Sequence, residues 1–391
     1  MHAFSKVLAA AALAAFAASG AFAQDKGTLK IVTHSPLSGP QSPSGEAIKL
    51  GAQLALEDFA KLAPGFKLVL QPEDDQATPN VGVANANRII NDGDVIAVVG
   101  HYNSGVAIPS SEVYAKVNLA MVSPANTNPA VTERASTKAV ANRVCGRDDV
   151  IGPAAAEFAV QNLGAKKVYI INDKTAYGQG VADAFEKAIK KMGVTVALST
   201  GIDEKETDFS TILNRAAVDK PQVIFYGGIY TQGGLLIKQM RQKKVDAAWL
   251  AGDGVDSADL QKIAGAENMV KTYFVTAGIP LAKLPEAQNF SKNYKAKFSK
   301  DPEGYSAYAY DAMHAVIQAI ADASKAKGGA KPSRAEVAAA VRKVSFKGLT
   351  GDIAFTEAGD IKLAKYAVVQ AKASADKNDV VSVLRIAAPG K

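Results

Sequence analysis

The sequence has few of the residues from which catalytic and metal centres are built. Of its 391 residues, one is cysteine (Cys145) and four are histidine. A single cysteine cannot form an intramolecular disulfide, so the fold depends on its buried cores. The chain has no HExxH, CxxC, GxSxG or GxxxxGKS/T motif, and its two GxG segments lack the third glycine of a dinucleotide-binding loop. We therefore expect no enzyme, no cofactor and no metal.

Long apolar runs are also scarce. The start of the chain combines Lys6, an apolar stretch over residues 7–18 and the sequence Ala21-Phe22-Ala23, which is typical of a secretory signal peptide. We expect residues 1–23 to be removed by cleavage after Ala23. Because Gln24 rather than cysteine follows the cut, a lipid anchor is not expected. No later segment has the ~18 uninterrupted apolar residues of a membrane span.

Blocks of one charge are absent too. The formal net charge is +7, but lysine and arginine are dispersed among acidic residues. Short basic groups such as Lys187, Lys190 and Lys191 are typical of solvated helix faces. Nucleic acid is not expected as a partner.

What the chain does contain is a repeated alternation of apolar strands and amphipathic helices. Strands such as VIAVVG and VIFYGG are apolar throughout, which favours parallel strands covered by helices on both faces. The alternation begins again after Cys145, and the chain exceeds the ~250–300 residues at which single cores stop growing. We predict an α/β fold with two similar lobes, each a mostly parallel open sheet with helices on both faces. The predicted helices cover residues 45–62, 80–91, 104 onward, 152–163, 178–192, 209–217 and 234–243.

The last part of the chain does not form a third unit of this kind. It offers the strand TYFVTAG, helices over 285–300, 305–325 and 334–344, and two short strand-like segments. Because these few strands cannot cover the helices, we expect the helices to pack on the earlier lobes. The chain would then cross between the lobes more than once, which makes the hinge multi-stranded. The predicted lobes are 24–146 plus 278–362 and 147–277 plus 363–391, with the third crossing between residues 345 and 367. Cys145 is expected near the first crossing as a buried, unreactive thiol.

Polar residues are concentrated in loops that follow the predicted strands. Ligands of open α/β sheets bind outside the carboxyl ends of the strands. Facing one another across a cleft, loops from both lobes would surround a small polar molecule. The six loops are THSPLSGPQSPSG, GHYNSG, SPANTNP, NDKTAYGQG, GGIYTQGG and GDGVDS.

Each candidate residue in these loops also has a structural interpretation. Ser104 is a suitable helix N-cap, and Thr127 a suitable turn residue. Asp253 between two glycines fits an Asx-turn, and Tyr177 could cover a helix end. His101 is interpreted as a hydrogen-bonding residue of the interior rather than a ligand.

Taken together, the segments resemble the periplasmic branched-chain amino-acid-binding proteins of bacterial ABC importers, which have the type I periplasmic-binding-protein fold. Their order and spacing carry the resemblance. The matching segments are SPLSG, the pair Asp74-Asp75, ANRIIND, GH with Ser104 three residues on, SPAxT, DKxxYGxG, DFSTIL, YGG, GxG followed by valine, and DPxG before a Tyr-rich helix.

The resemblance implies a role for several residues. Ser104 and neighbouring backbone amides would hold the carboxylate of an amino acid. The carbonyl of Ala125, the hydroxyl of Thr127 and the acid Asp253 would take its ammonium, and Tyr177 would close over the ligand. Weaker candidates for ligand contacts are Asn103, Ser44, Asp148, Tyr230 and Tyr305.

The chain departs from this family where the ligand's side chain would lie. Ser44 stands where a tyrosine is frequent, and Ile229 follows YGG with Tyr230 one place later. Asp253 is one methylene shorter than the usual glutamate. Ala77 and Asn103 occupy the places of a frequent disulfide.

The expected function is therefore that of the substrate-binding component of an ABC importer. It would bind a small amino acid, with Leu, Ile or Val as the first expectation, and deliver it to a permease with its ATPase at the inner membrane. The expected protein is periplasmic and monomeric. The alternatives are another small carboxylate, an aromatic acid or an amide as ligand, a role in sensing, and an enzyme.

Overall fold

The structure is a computed structural model that describes residues 26–387. The predicted signal peptide and its cleavage after Ala23 lie outside these residues. Over the described range, no helix combines the length and the apolar character needed to cross a membrane.

The first sheet has five parallel strands in the order β2-β1-β3-β4-β5. Strands β3 and β4 are buried along their whole length, which explains why their sequences are apolar without alternation. The strands are β1 (Thr28–Ser35), β2 (Lys67–Asp74), β3 (Val95–Gly100), β4 (Ala120–Ser123) and β5 (Ala141–Arg143). The helices between them are α1 (Ser42–Phe59), α2 (Pro79–Asn91), α3 (Ser104–Ala115) and the short α4 (Ala130–Glu133).

The second sheet has seven strands in the order β14-β13-β10-β9-β8-β6-β7. Strands β6 to β10 are parallel, and β13 and β14 pair antiparallel at one edge. The strands are β6 (Lys167–Asn172), β7 (Thr195–Gly201), β8 (Val223–Gly227), β9 (Ala248–Ala251), β10 (Thr272–Thr276), β13 (Leu363–Gln370) and β14 (Asp379–Ala387). The helices are α5 (Asp148–Gln161), α6 (Ala176–Lys191), α7 (Ser210–Asp219), α8 (Tyr230–Gln242) and α9 (Ala258–Ala264).

The helices that follow β10 return to the first sheet, as predicted from the lack of strands to cover them. They are α10 (Gln288–Phe298), α11 (Gly304–Ala326) and α12 (Arg334–Val341). Helix α11 packs along α1 and, together with α12, against β3 and β4. A small hairpin of β11 (Ser345–Lys347) and β12 (Asp352–Ala354) follows.

The chain passes between the two sheets three times: from β5 to α5, from β10 to α10, and from β12 to β13. Cys145 lies next to the first passage. It is buried, and burial raises the pKa of its thiol well above the usual range. A buried thiol that resists ionisation is unreactive, as the sequence predicted.

Some predicted element boundaries are wrong. Helix α5 begins at Asp148 rather than near residue 152, and α8 begins at Tyr230 rather than at residue 234. The candidate residues Asp148 and Tyr230 thus lie in the first turns of helices rather than in loops. The elements α4, α9, β5, β11 and β14 were not predicted. Most are too short to show a period, and β14 is an edge strand whose valines are partly exposed.

Candidate ligand-binding cleft

A cavity of about 310 Å³ lies between the two sheets, where loops that follow their parallel strands face each other. Residues from both halves of the chain line it. Six of the ten predicted ligand-binding residues are among them: Asn103, Ser104, Ala125, Tyr177, Asp253 and Tyr305. The other four, Ser44, Thr127, Asp148 and Tyr230, are buried beside the cavity.

One end of the cavity is formed by the start of α3. Ser104 is the first residue of this helix and is buried; its Oγ accepts a hydrogen bond of 3.4 Å from the backbone N–H of Asn128. The interpretation of Ser104 as the N-cap is wrong, because Asn103 holds that position and no side chain caps the helix. The first backbone N–H groups of a helix have no intrahelical partners and favour an anion. This end of the cavity therefore suits a carboxylate.

Asn126 ties the turn after β3 to the loop after β4. Its Oδ1 accepts from the backbone N–H of His101 (3.0 Å) and from Ser123 Oγ (2.7 Å), and its Nδ2 donates to the carbonyl of Tyr102 (2.9 Å). These bonds hold Ala125 beside Ser104. His101 is itself buried against Asp75, with 3.1 Å between Nδ1 and Oδ2, so it belongs to the interior as expected.

Thr127 and Asp148 form a buried polar pair behind the cavity. The backbone N–H of Asp148 donates to the carbonyl of Thr127 at 2.9 Å. Within the described residues, the Thr127 hydroxyl and the two carboxylate oxygens of Asp148 make no hydrogen bond of regular geometry, although the hydroxyl lies near enough to the carboxyl to act on its pKa. Burial, and then the nearby charge of Asp253, raises the pKa of Asp148 well above the usual range. Unsatisfied polar atoms of this kind are costly, and a hydrogen-bond donor would relieve them.

Asp253 lines the cavity from the side of the second sheet, where it follows β9. It is 2% exposed. Its Oδ1 accepts from Tyr177 Oη (2.9 Å) and its Oδ2 from Tyr305 Oη (3.4 Å), while Tyr177 Oη accepts from the backbone N–H of Gly254 (2.6 Å). Burial raises the pKa of Asp253 to about 6. No ion pair of Asp253 is found in the described part of the chain, so this side of the cavity favours a cation.

Ser44 and Tyr230 lie where the two halves of the molecule approach each other. Tyr230 Oη donates to the carbonyl of Pro40 at 3.1 Å, a contact between the second sheet's α8 and the loop after β1. Ser44 is fully buried, and its hydroxyl lies within reach of the hydroxyls of Tyr102 and Tyr230, although without regular hydrogen-bond geometry. Ser44 and Tyr230 thus lie at the contact between the part of the molecule built on the first sheet and the part built on the second.

Comparison with known proteins agrees with this architecture. A family model described as periplasmic binding protein matches residues 28–378. A Leu/Ile/Val-binding protein homolog of Brucella suis is 35% identical over 345 residues, which cover 87% of this chain and 90% of the homolog. The chain belongs to the periplasmic binding protein family. The predicted family, the α/β fold and a solute-binding role are therefore confirmed.

Solved structures of other periplasmic binding proteins have the same fold. The leucine-binding protein of Thermotoga maritima is 30% identical and superposes with a TM-score of 0.81, covering 91% of this chain and 98% of its own. A solute-binding protein of Rhodopseudomonas palustris in complex with benzoate is 20% identical, with a TM-score of 0.79 and coverage of 93% and 98%. The second likeness concerns the fold alone.

Sequence reasoning missed several residues that line the cleft of this periplasmic binding protein. Gln41 lies in the first predicted loop but was not singled out, and Pro79 and Glu204 follow β2 and β7, two strands whose loops were left out of the set. The loops after β2 and β7 also lie at carboxyl ends of parallel strands, so the position of ligands in open α/β sheets points to Pro79 and Glu204 as well. Lys174 was inside a predicted loop but was not proposed.

Proposed function

We propose that this protein binds a free amino acid as a zwitterion in the interlobe cavity and delivers it to the permease of an ABC importer. The observation that carries the proposal is the polarity of the cavity. The start of α3 at Ser104 offers donors at one end, and Asp253 offers an unpaired buried carboxylate from the side of the second sheet. A zwitterion pairs with both, which compensates the burial of each charge.

The relatives' names support Leu, Ile or Val as the first ligands to test. We propose that Ala125 and Thr127 complete the ammonium site, with Asp148 behind them. We further propose a monomer in which 24–146 plus 278–362 and 147–277 plus 363–391 form lobes that close on the ligand. Two separate sheets joined by three chain crossings support this division.

The remaining parts of the proposal concern location and chemistry. We propose export to the periplasm with cleavage after Ala23, and binding without catalysis, because the family consists of solute-binding proteins. Size-exclusion chromatography with light scattering tests the monomer. Mass spectrometry of the exported protein tests the cleavage site, and unchanged amino acid after prolonged incubation tests the absence of turnover.

A thermal-shift panel followed by calorimetry tests the ligand. A ligand that binds the native state at a hundredfold excess over Kd stabilises it by about 2.7 kcal/mol. We expect stabilisation by L-amino acids and none by benzoate, urea or simple amides. The Kd of the amino acid should lie in the micromolar range, which corresponds to a binding free energy of about −8 kcal/mol. Stabilisation by benzoate alone would support the aromatic-acid alternative, which the benzoate-bound relative makes worth including.

Substitution of Ser104 then tests the carboxylate end. Ser104→Ala should weaken amino-acid binding by about 1.5–3 kcal/mol, because a hydrogen bond to a charged group is lost, while the melting temperature changes little. Ser111→Ala is the matched control. Ser111 lies on the same helix, where its hydroxyl donates to the carbonyl of Ile108 and accepts from Arg134. The Ser111→Ala variant should lower the melting temperature and leave the Kd of the amino acid unchanged. The reverse order of effects would rule out the carboxylate site.

A further inference from the structure

Two side-chain amides line the cavity beside the start of α3. Gln41 comes from the loop before α1, and Asn103 immediately precedes Ser104. Asn103 Nδ2 donates to Gln41 Oε1 at 2.8 Å. Asn103 Oδ1 is buried without a partner in the described part of the chain, and the Gln41 amide nitrogen is not used in this bond. The amide pair therefore keeps both donor and acceptor capacity.

The second half of the molecule contributes one charge of each sign near this pair. Lys174 follows β6 and Glu204 follows β7, and both line the cavity. A carboxylate on the ligand's side chain would be attracted by Lys174 but repelled by Glu204, and an ammonium would meet the opposite pair of forces. For either sign of charge the attraction and the repulsion offset each other. This wall therefore does not favour a side chain with a net charge.

Apolar side chains also line the cavity. Val106, Pro79 and Ile229 are among them. They can pack against the methylene groups of an amino-acid side chain, whether it is branched or linear. The cavity thus offers an amino-acid side chain both apolar surface and neutral hydrogen-bonding groups.

We propose that this subsite admits amino acids whose side chains end in a carboxamide, so that glutamine and asparagine are ligands beside the branched-chain amino acids. The inference rests on the proposed amino-acid function. The ligand's amide nitrogen donates to Asn103, and its carbonyl accepts from Gln41. An aliphatic side chain fills the same space without these bonds, and the pair then keeps its own hydrogen bond.

Calorimetry with leucine, glutamine and glutamate tests the proposal on the full mature protein. Glutamine should bind within about tenfold of leucine. Glutamate, which differs from glutamine only in its terminal group, should bind at least about tenfold more weakly than glutamine, because its carboxylate has no N–H to donate to Asn103 Oδ1 and costs more to bury than an amide. Leucine binding without measurable glutamine binding would overturn the subsite and leave the proposed function intact. Absence of binding by any amino acid would instead overturn the proposed function.

Two variants locate the amide contact. Asn103→Leu and, independently, Gln41→Met should each weaken glutamine at least about tenfold. Gln41→Met lies off the helix that holds the carboxylate and should keep leucine affinity within about threefold. Asn91→Leu is the control, since Asn91 is an exposed asparagine at the end of α2 and remote from the cavity lining. It should leave both affinities unchanged. Equal weakening of leucine and glutamine by both variants, or no change in glutamine affinity, would overturn the proposal.

Discussion

At the scale of single residues, Asp253 links the charge of the ligand to pH. Tyr177 and Tyr305 donate hydrogen bonds to its carboxylate, yet burial still raises its pKa from 3.8 to about 6. Two further carboxyl groups near it, Asp148 and Asp256, have pKa values that are raised by burial as well and then by the charge of Asp253 or other carboxylates. The surroundings of Asp253 thus contain several buried acids, which favours a cation beside them.

This arrangement predicts that amino-acid binding weakens as the pH falls. Pairing with an ammonium requires ionised Asp253, so below pH 6 binding must expel a proton. Affinity should drop by about tenfold between pH 7 and pH 5, as calorimetry at fixed ionic strength would measure. The stability of the protein without ligand should change with pH in the opposite direction. Because the pKa of Asp253 is higher in the folded than in the unfolded state, this residue increases the free energy of unfolding as the pH falls from about 6 towards 4.

Asp253→Asn and Asp253→Ala serve as the controls for this pH dependence. Both should abolish or greatly weaken amino-acid binding at pH 7. Asp253→Asn should also make the unliganded protein more stable at that pH, because a buried charge is removed. Unchanged affinity in either variant, or wild-type affinity that does not vary between pH 7 and pH 5, would exclude Asp253 from the ammonium site.

At the scale of elements, a buried ion network joins two of the three chain passages. Asp360, in the segment between β12 and β13, accepts from Arg143 Nε at 2.7 Å and from Arg147 Nη1 at 2.8 Å. Thr132 Oγ1 also donates to Asp360 at 2.8 Å. Burial alone would raise the pKa of Asp360, but the two arginines hold it below its usual value. The network fixes the start of α5 to the segment that leads into β13.

We predict that Asp360→Asn destabilises the protein by about 3–5 kcal/mol, because it leaves the buried guanidinium of Arg143 without a carboxylate. Arg147 loses one carboxylate partner and keeps Glu133 and Asp149. Urea unfolding monitored by circular dichroism measures the loss. Asp246→Asn removes the exposed ion pair with Lys271 and should change stability by no more than about 0.5 kcal/mol. Similar losses in the two variants would show that the buried network has no special role.

At the scale of the whole molecule, contacts between the two halves close the cleft. Tyr230 Oη donates to the carbonyl of Pro40 at 3.1 Å, and Asn128 Nδ2 donates to the carbonyl of Ala176 at 2.6 Å. Tyr230 does not line the cavity. If the lobes open to exchange ligand, these bonds belong to the closed form, so they contribute to affinity without contacting the ligand.

Tyr230→Phe should therefore raise the dissociation rate of the amino acid and weaken its affinity by about 0.5–1.5 kcal/mol, which is the net value of one hydrogen bond. Stopped-flow fluorescence measures the rate. Tyr310→Phe is the matched control, because Tyr310 Oη donates to Asp58 at 2.7 Å and both residues belong to the part of the molecule built on the first sheet. That variant should leave the dissociation rate unchanged. The same change in both rates would argue against a closing role for Tyr230.

The fold was more predictable than the cleft. The apolar runs that became β3, β4, β8 and β9 were found because strands buried on both faces must be apolar throughout. Ser104 and Asp253 were found because ligands meet the carboxyl ends of such strands, and because the surrounding segments resemble a known family. Elements without a clear period, such as β5 and α9, were missed.

The sequence by itself therefore determined the elements of each lobe: which segments are buried strands, which helices cover them, and which loops lie at the carboxyl ends of the strands. These properties depend on residues a few positions apart, and the pattern of apolar and polar residues records them. Tertiary structure alone decided which side chains meet at the binding edge of each sheet, such as Tyr177 with Asp253 and Asn103 with Gln41. Those partners are 76 and 62 residues apart, so only the order of the strands within each sheet brings them within hydrogen-bonding distance.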